Sequence, residues 1–262
     1  MITKLLYHFY KTMFKKIIII LIIVCCNYSV SYAANKKSPI IIVAVASSFY
    51  NTTLEIASLF YKKTKIKTVI IKGSSGKHYA QIINGAPFDI FFSADQKRPK
   101  LLEKNNIKSR IYAIGKLILW TNDDSMDLKY DSIKYEKFNH IIIANEKLAP
   151  YGLAAVEYLK KLKIFDKIIH KTLKPENILA AFSLSQTNNA KFAILSLSDF
   201  KTDKKTIGQY VIIPQNFYQP IRQNVIALNE KKNVKLFMNF LRSKDAITVI
   251  KKNGFGVMPH DK

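Results

Sequence analysis

The chain has 262 residues, 48% of them hydrophobic and 23% charged, so it can build a real core and is neither disordered nor collagen-like. Lys and Arg number 42 against 18 acids, a formal charge of +24, yet only four of the bases are Arg (Arg98, Arg110, Arg222, Arg242). Readers of nucleic acid rely on the bidentate Arg fork, so scattered Lys reads as compositional bias and no nucleic-acid partner is expected.

Residues 1–33 carry Lys4, Lys11, Lys15 and Lys16 and no acid. The apolar run Ile17–Cys26 is too short to cross a bilayer, which takes roughly 20 residues, and suits the core of a secretory signal peptide. Ser31-Tyr32-Ala33 places small residues where a signal peptidase cuts, before Ala34. Ile23-Val24-Cys25-Cys26 leaves a second reading open, a lipid-anchored variant. Both cysteines lie in this segment, so a mature chain has no disulfide, thiolate metal site or Cys nucleophile, and its charge is +20.

After the leader, short apolar runs alternate with longer helical patterns. Ile40–Ala46 (IIIVAVA) reads as a buried strand, 53–63 as a helix, Thr68–Ile71 as a strand, Lys77–Ile83 as a helix and Phe88–Ser93 as a strand. That is the rhythm of a parallel sheet with helices on both faces. The pattern restarts beyond Gly115. Strands are expected at Lys116–Trp120 and His140–Ala144, helices at Gly152–Leu162 and Glu176–Leu184, then strands at Phe192–Leu195, Tyr210–Ile213 and Val225–Leu228. Helices over Val234–Leu241 and Ala246–Lys251 end the chain. Two α/β units follow, and a cleft between such units is the default ligand site.

Four strand-to-helix junctions carry small, hydroxylated or turn-forming residues: Ser47-Ser48, Gly73-Ser74-Ser75-Gly76, Ala149-Pro150-Tyr151-Gly152 and Pro175-Glu176-Asn177-Ile178. A helix N-terminus offers free N–H groups and partial positive charge, which suits an anion. A single Ser there is usually an N-cap; four junctions at the same end of their strands point further. Gly73–Lys77 is not a phosphate-binding loop, because its two Gly are three apart rather than five and His78 stands where a Ser or Thr would hold Mg²⁺. The five His show no metal-ligand spacing, Asp89 and Asp95 read as turn and cap residues, and no triad or carboxylate pair emerges. No catalytic residue and no cofactor are expected.

The order of motifs resembles the periplasmic molybdate-binding proteins of ABC transporters. The resemblance rests on AVASSFYNTTLEIA (44–57), KGSSGKHYAQIINGAPFDIFFSADQ (72–96), YAIGKLILW (112–120), APYGLAAVEYL (149–159), YQPIRQNVIAL (218–228) and FMNFLRSKDAITVIKKNGF (237–255). It implies an α/β, two-lobed type II periplasmic binding protein fold, each lobe a mostly parallel sheet flanked by helices. Lobe 1 would comprise 34–115 plus 222–262 and lobe 2 116–221, with hinge segments near Gly115–Lys116 and Gln219–Arg222. It implies an extracytoplasmic monomer, not an enzyme, that binds molybdate or tungstate between the lobes and hands it to a membrane permease. Position by position, it assigns ligand binding to Ser47, Ser48 and Ser75, and to Tyr151 and Ile178 through backbone N–H groups. Some family members add a Tyr hydroxyl where this chain has Ser196. The alternatives kept open are another tetrahedral oxyanion, such as sulfate or phosphate, and a secreted hydrolase.

Overall fold

A computed structural model describes Met13 and residues 40–104, 106–187, 189–203 and 207–258. The expected signal segment and its cleavage point lie outside the described residues.

The first sheet begins with β1 (Ile40–Ala46), a continuous β-branched run buried along most of its length, as a central strand of a covered sheet should be. A 3₁₀ turn (Ser47–Phe49) leads into α1 (Tyr50–Thr64), and β2 (Lys67–Gly73) lies at the sheet edge with Val69 and Ile71 exposed. Next come α2 (Ser75–Ile83), β3 (Ile90–Ser93), α3 (Lys97–Leu101) and β4 (Arg110–Gly115). The chain then builds a second sheet from β5 (Leu117–Thr121), β6 (Ile141–Ile142), β7 (Thr172–Leu173), β8 (Phe192–Ser196) and β9 (Gln209–Ile212). Its helices are α4 (Pro150–Lys161), α5 (Phe165–Ile168), α6 (Ile178–Ser185) and α7 (Leu197–Thr202). Finally β10 (Ile221–Ala227) returns to the first sheet, followed by α8 (Lys232–Phe240) and α9 (Lys244–Lys252).

The strand orders are β2-β1-β3-β10-β4 and β7-β6-β8-β5-β9. Each sheet is mixed. Its first three strands run parallel, and antiparallel pairing begins at the strands next to the crossings, β10 with β3 and β4, and β5 with β8 and β9. The sequence led to expect mostly parallel lobes. The antiparallel halves arise because β4 passes straight into β5 and β10 comes back from the other sheet. The chain therefore crosses between sheets at Gly115–Leu117 and at Ile212–Ile221.

Each lobe has its own core. Phe49, Phe92, Phe237 and Val45 anchor the first; Trp120, Tyr158, Phe192 and Ile194 anchor the second. Phe49 packs against Phe92, Tyr112 and Phe255 at ring-centroid distances of 5.5, 4.5 and 5.1 Å. It follows Ser48 directly, so this aromatic cluster nails the Ser47-Ser48 turn to the sheet.

Candidate functional site

The ends of β1 and β2 in the first lobe, and the segments entering α4 and α6 in the second, face one another across the seam. Gly76 N donates to Leu148 O at 3.1 Å, and Leu179 N to Ser47 Oγ at 3.5 Å. Ser198 Oγ donates to Ser48 O at 3.0 Å, and Asn51 Nδ2 to Thr202 Oγ1 at 3.0 Å. Ala46 and Ala94 of the first lobe pack in the same buried cluster as Tyr151 and Ile178 of the second. All five residues singled out in the sequence are buried at this seam.

Their hydrogen bonding shows which groups remain to hold a ligand. At α2, the N-cap Ser74 Oγ accepts from Lys77 N and Gly76 N goes to Leu148 O, which leaves the Ser75 N–H as the first-turn donor without an acceptor. Ser75 Oγ accepts from Ala94 N at 2.9 Å. That bond uses a lone pair, so the hydroxyl hydrogen can still be given to another group. At α6, Asn177 Oδ1 accepts from Ala180 N at 3.0 Å and Leu179 N reaches Ser47, leaving the Ile178 N–H. At α4, Pro150 has no N–H, and Gly152 and Leu153 both donate to Ala149 O, leaving the Tyr151 N–H. Ser48 Oγ is buried without a hydrogen-bond partner of good geometry, although the Tyr151 phenol lies near enough to sense it. A buried hydroxyl without a well-placed partner is costly, which leaves Ser48 Oγ available to a further group.

Two glycines make the approach of α4 possible. A Cβ on Gly152 would stand 2.1 Å from Ala144 O, two residues past β6, and one on Gly115 would stand 2.2 Å from the Tyr151 hydroxyl. The Tyr151 ring thus runs from the helix start into the crossing between sheets. There Gln223 Nε2 donates to its hydroxyl at 3.0 Å, and Gln223 Oε1 accepts from Tyr112 at 2.7 Å. Burial pushes the Tyr151 phenol far above its ordinary pKa, so it stays neutral.

The electrostatics are those of dipoles. None of the five residues is ionisable except that phenol; at the rim Lys77 is half exposed and pairs with Glu176 across the seam at 3.5 Å, and Arg98, beside Gly76, pairs with Asp95 and donates to Lys147 O at 3.2 Å. Beside the site a 660 Å³ cavity opens to solvent, lined from both lobes by residues including Ser47, Asn51, Lys72, His78 and Glu176. Burial holds the His78 imidazole below its usual pKa, with its ring nitrogens 3.2 Å from Gln81 Oε1 and from Val45 O. Among the described residues no group of His, Cys, Asp and Glu could hold a metal ion.

Three features escaped sequence reasoning. Gln223 bridges to Tyr151 from 72 residues away, which no local pattern reveals. Ser198 ties α7 to the Ser48 carbonyl. Asp199 is fully buried, and burial raises its carboxyl to a pKa of about 7, with the Ser196 hydroxyl pulling the other way. Ser196-x-x-Asp199 has the spacing of a capping box, the one local signal available. Ser196 Oγ caps α7 by accepting from Asp199 N at 3.2 Å and donates to the Asp199 carboxylate, so its hydroxyl is already engaged.

Two mixed α/β sheets joined by paired crossings, with helix starts converging on the seam, define a type II periplasmic binding protein. The chain belongs to the bacterial extracellular solute-binding protein family, which it matches over residues 41–256. It is 37% identical over 224 residues to the molybdate-binding protein ModA of Azotobacter vinelandii, covering 82% of this chain and 89% of the relative. It is 33% identical over 222 residues to the molybdate-binding protein ModA of Rhodobacter capsulatus, covering 82% and 87%. The solved Azotobacter vinelandii periplasmic molybdate-binding protein superposes with a TM-score of 0.78 at 32% identity, covering 84% of this chain and all of that one.

Proposed function

We propose that this chain captures molybdate or tungstate between its lobes and delivers it to the membrane permease of an ABC transporter. It is an extracytoplasmic binding protein and not an enzyme, and it works as a monomer after residues 1–33 are removed. The observation that carries the reading is the set of unspent neutral donors: the N–H groups of Ser75, Tyr151 and Ile178 and the hydroxyls of Ser48 and Ser75. They come from both lobes, and the cations around them are already engaged or face solvent: Arg98, beside Gly76, is paired with Asp95 and bonded to Lys147 O, and Lys77 is paired with Glu176. A tetrahedral dianion presents acceptors in every direction and no donor, which matches a set of donors without a base.

Donors on both lobes make capture a closing motion, because only the apposed lobes complete the seat. Selectivity over sulfate then rests on size, the molybdenum–oxygen tetrahedron being the larger. Calorimetric titration of the chain lacking residues 1–33 with molybdate, tungstate, sulfate and phosphate tests the reading. Tight one-to-one binding of the first two, weak binding of the others and a smaller radius of gyration in solution scattering with molybdate are expected. Equal or tighter binding of sulfate or phosphate would overturn the choice of ligand.

A further inference from the structure

Asp199 has no role in the seat just described, yet it lies directly behind it. Its carboxylate is bonded by Ser196 Oγ; Ser198 Oγ lies 3.2 Å from Ser196 Oγ and donates to Ser48 O of the other lobe at 3.0 Å. Two hydroxyls therefore separate the carboxylate from the turn that carries Ser48. No Lys or Arg pairs with Asp199 among the described residues.

The elements packed on α7 offer it no compensating charge. The turn 47–49, α6 and β8 contain no ionisable side chain. On α1 the ionisable residues are Tyr50, Glu55, Tyr61, Lys62 and Lys63; Glu55 is taken up by Lys252 and Asn253, and Lys63 by Asp245. From α4 the neutral Tyr151 phenol faces Asp199. On α7 itself Lys201 is exposed; so is Lys116 of the crossing, whose carbonyl accepts from Leu197 N, and of the lysines preceding Gly254, which packs on Leu197, Lys251 is exposed and Lys252 pairs with Glu55. With a dianion seated at the Ser48 turn, the carboxylate would lie two hydroxyls behind it, and two like charges so placed could not both stay ionised at small cost.

The cover over Asp199 is made by closure. The Ser198–Ser48, Asn51–Thr202 and Leu179–Ser47 contacts all cross the seam, so parting the lobes lets water reach α7. Resting on the oxyanion reading, we infer that Asp199 takes up one proton from solvent as the lobes close on the anion, so that capture is proton-linked and tightens as pH falls. The step is a carboxylate plus a solvent proton giving a neutral carboxylic acid, with the anion itself unchanged. Burial in the closed form already raises the carboxyl to about 7, and a neighbouring dianion raises it further. In an open form that water reaches, the carboxyl would lose the burial that raises it. Between the open-form value and the raised closed-form value the favoured closed form binds more protons, so affinity falls as pH rises.

The test is calorimetric titration with molybdate from about pH 6 to about pH 8.5, in Pipes, Hepes and Tris, whose ionisation enthalpies differ. The wild-type chain should show buffer-dependent heat reporting up to about one proton taken up per anion, and Kd should rise by several-fold, at most about tenfold, per pH unit. Asp199→Asn should give heat independent of buffer and a Kd without that slope. Buffer-independent heat and a flat Kd in the wild-type chain would overturn the inference while leaving oxyanion binding intact. So would an unchanged slope in Asp199→Asn, which would place the proton on the anion or another group. No molybdate binding at any pH would overturn the oxyanion reading and this inference with it.

Discussion

Ser74 and Ser75 are adjacent, similarly buried and both at the start of α2, yet their hydroxyls do different things. Ser74 Oγ accepts from Lys77 N and caps the helix. Ser75 Oγ accepts from Ala94 N, which leaves its hydrogen free, and the proposed seat uses it for the ligand. Replacing Ser75 by Ala removes a hydrogen bond to a charged group, worth about 1.5–3 kcal/mol, which corresponds to roughly a ten- to hundredfold loss of molybdate affinity. It also strands the buried Ala94 N–H, at about 1–3 kcal/mol of stability. Ser74→Ala should instead cost about 1 kcal/mol of stability through the lost cap and leave affinity nearly unchanged. Lys77→Ala removes a half-exposed ion pair and should change affinity little at moderate salt. Calorimetric Kd and urea unfolding midpoints on the three variants separate the effects. If Lys77→Ala abolished binding and Ser75→Ala did not, a charge-paired site would have to replace the neutral one.

Gly115→Ala should weaken binding more than it lowers stability, because its Cβ meets the Tyr151 hydroxyl at 2.2 Å and the strain is relieved by moving α4 away from the seat; Kd against thermal midpoint checks this. Phe49→Ala empties the centre of an aromatic cluster and should cost about 3–5 kcal/mol in urea unfolding, with Ser48 loosened in consequence. The raised Asp199 pKa favours the fold at low pH, and that contribution is lost as pH rises from the ordinary carboxylate range to about 7. Asp199→Asn should therefore stabilise the protein at about pH 8 by up to about 4 kcal/mol, less to the extent that parting lobes hydrate the carboxylate, with little gain near pH 4; thermal melts across pH test it. Molybdate association in stopped flow should slow with added salt while the bound complex loses little, since the lysine field acts at long range.

What could be read in the sequence follows from where the information is stored. β1 and β3 were legible because their apolar runs are local and the sheet buries both faces. α6 was expected from Glu176 but begins at Ile178, because Asn177, in extended conformation, caps it by accepting from Ala180 N. α4 was expected from Gly152 but begins at Pro150, which is preorganised for a first helical position. β4 was not read as a strand, although Arg110–Gly115 pairs with β10 on either side of a bulge at Tyr112; its mixed composition gives no period, and its order comes from a partner more than a hundred residues away. In the site, the small residues at the junctions were visible, since backbone approach demands them locally. Gln223 and Ser198 were not, because their partners, Tyr151 and Ser48, become neighbours through folding.

The contrast between a formal charge of +24 and a proposed seat built of backbone N–H groups and hydroxyls is a division of labour. A buried ammonium would need its own desolvation balanced before any ligand arrived, and its attraction depends on charge more than shape. Helix-start N–H groups are held in place by the helices behind them, point in set directions and need no reorganisation when an anion enters. Their directions are fixed by local devices: the caps at Ser74 and Asn177, the proline at the start of α4 and the missing Cβ atoms of Gly115 and Gly152. The lysines outside can draw anions of every kind toward the cleft, and geometry inside chooses among them. Because the donors are divided between lobes, an anion of the wrong size leaves some of them unmet in the closed form, and an unmet buried donor costs about as much as a good hydrogen bond gains. On this reading discrimination falls in the closing step rather than in the first encounter, the same step at which the proposed protonation of Asp199 would occur.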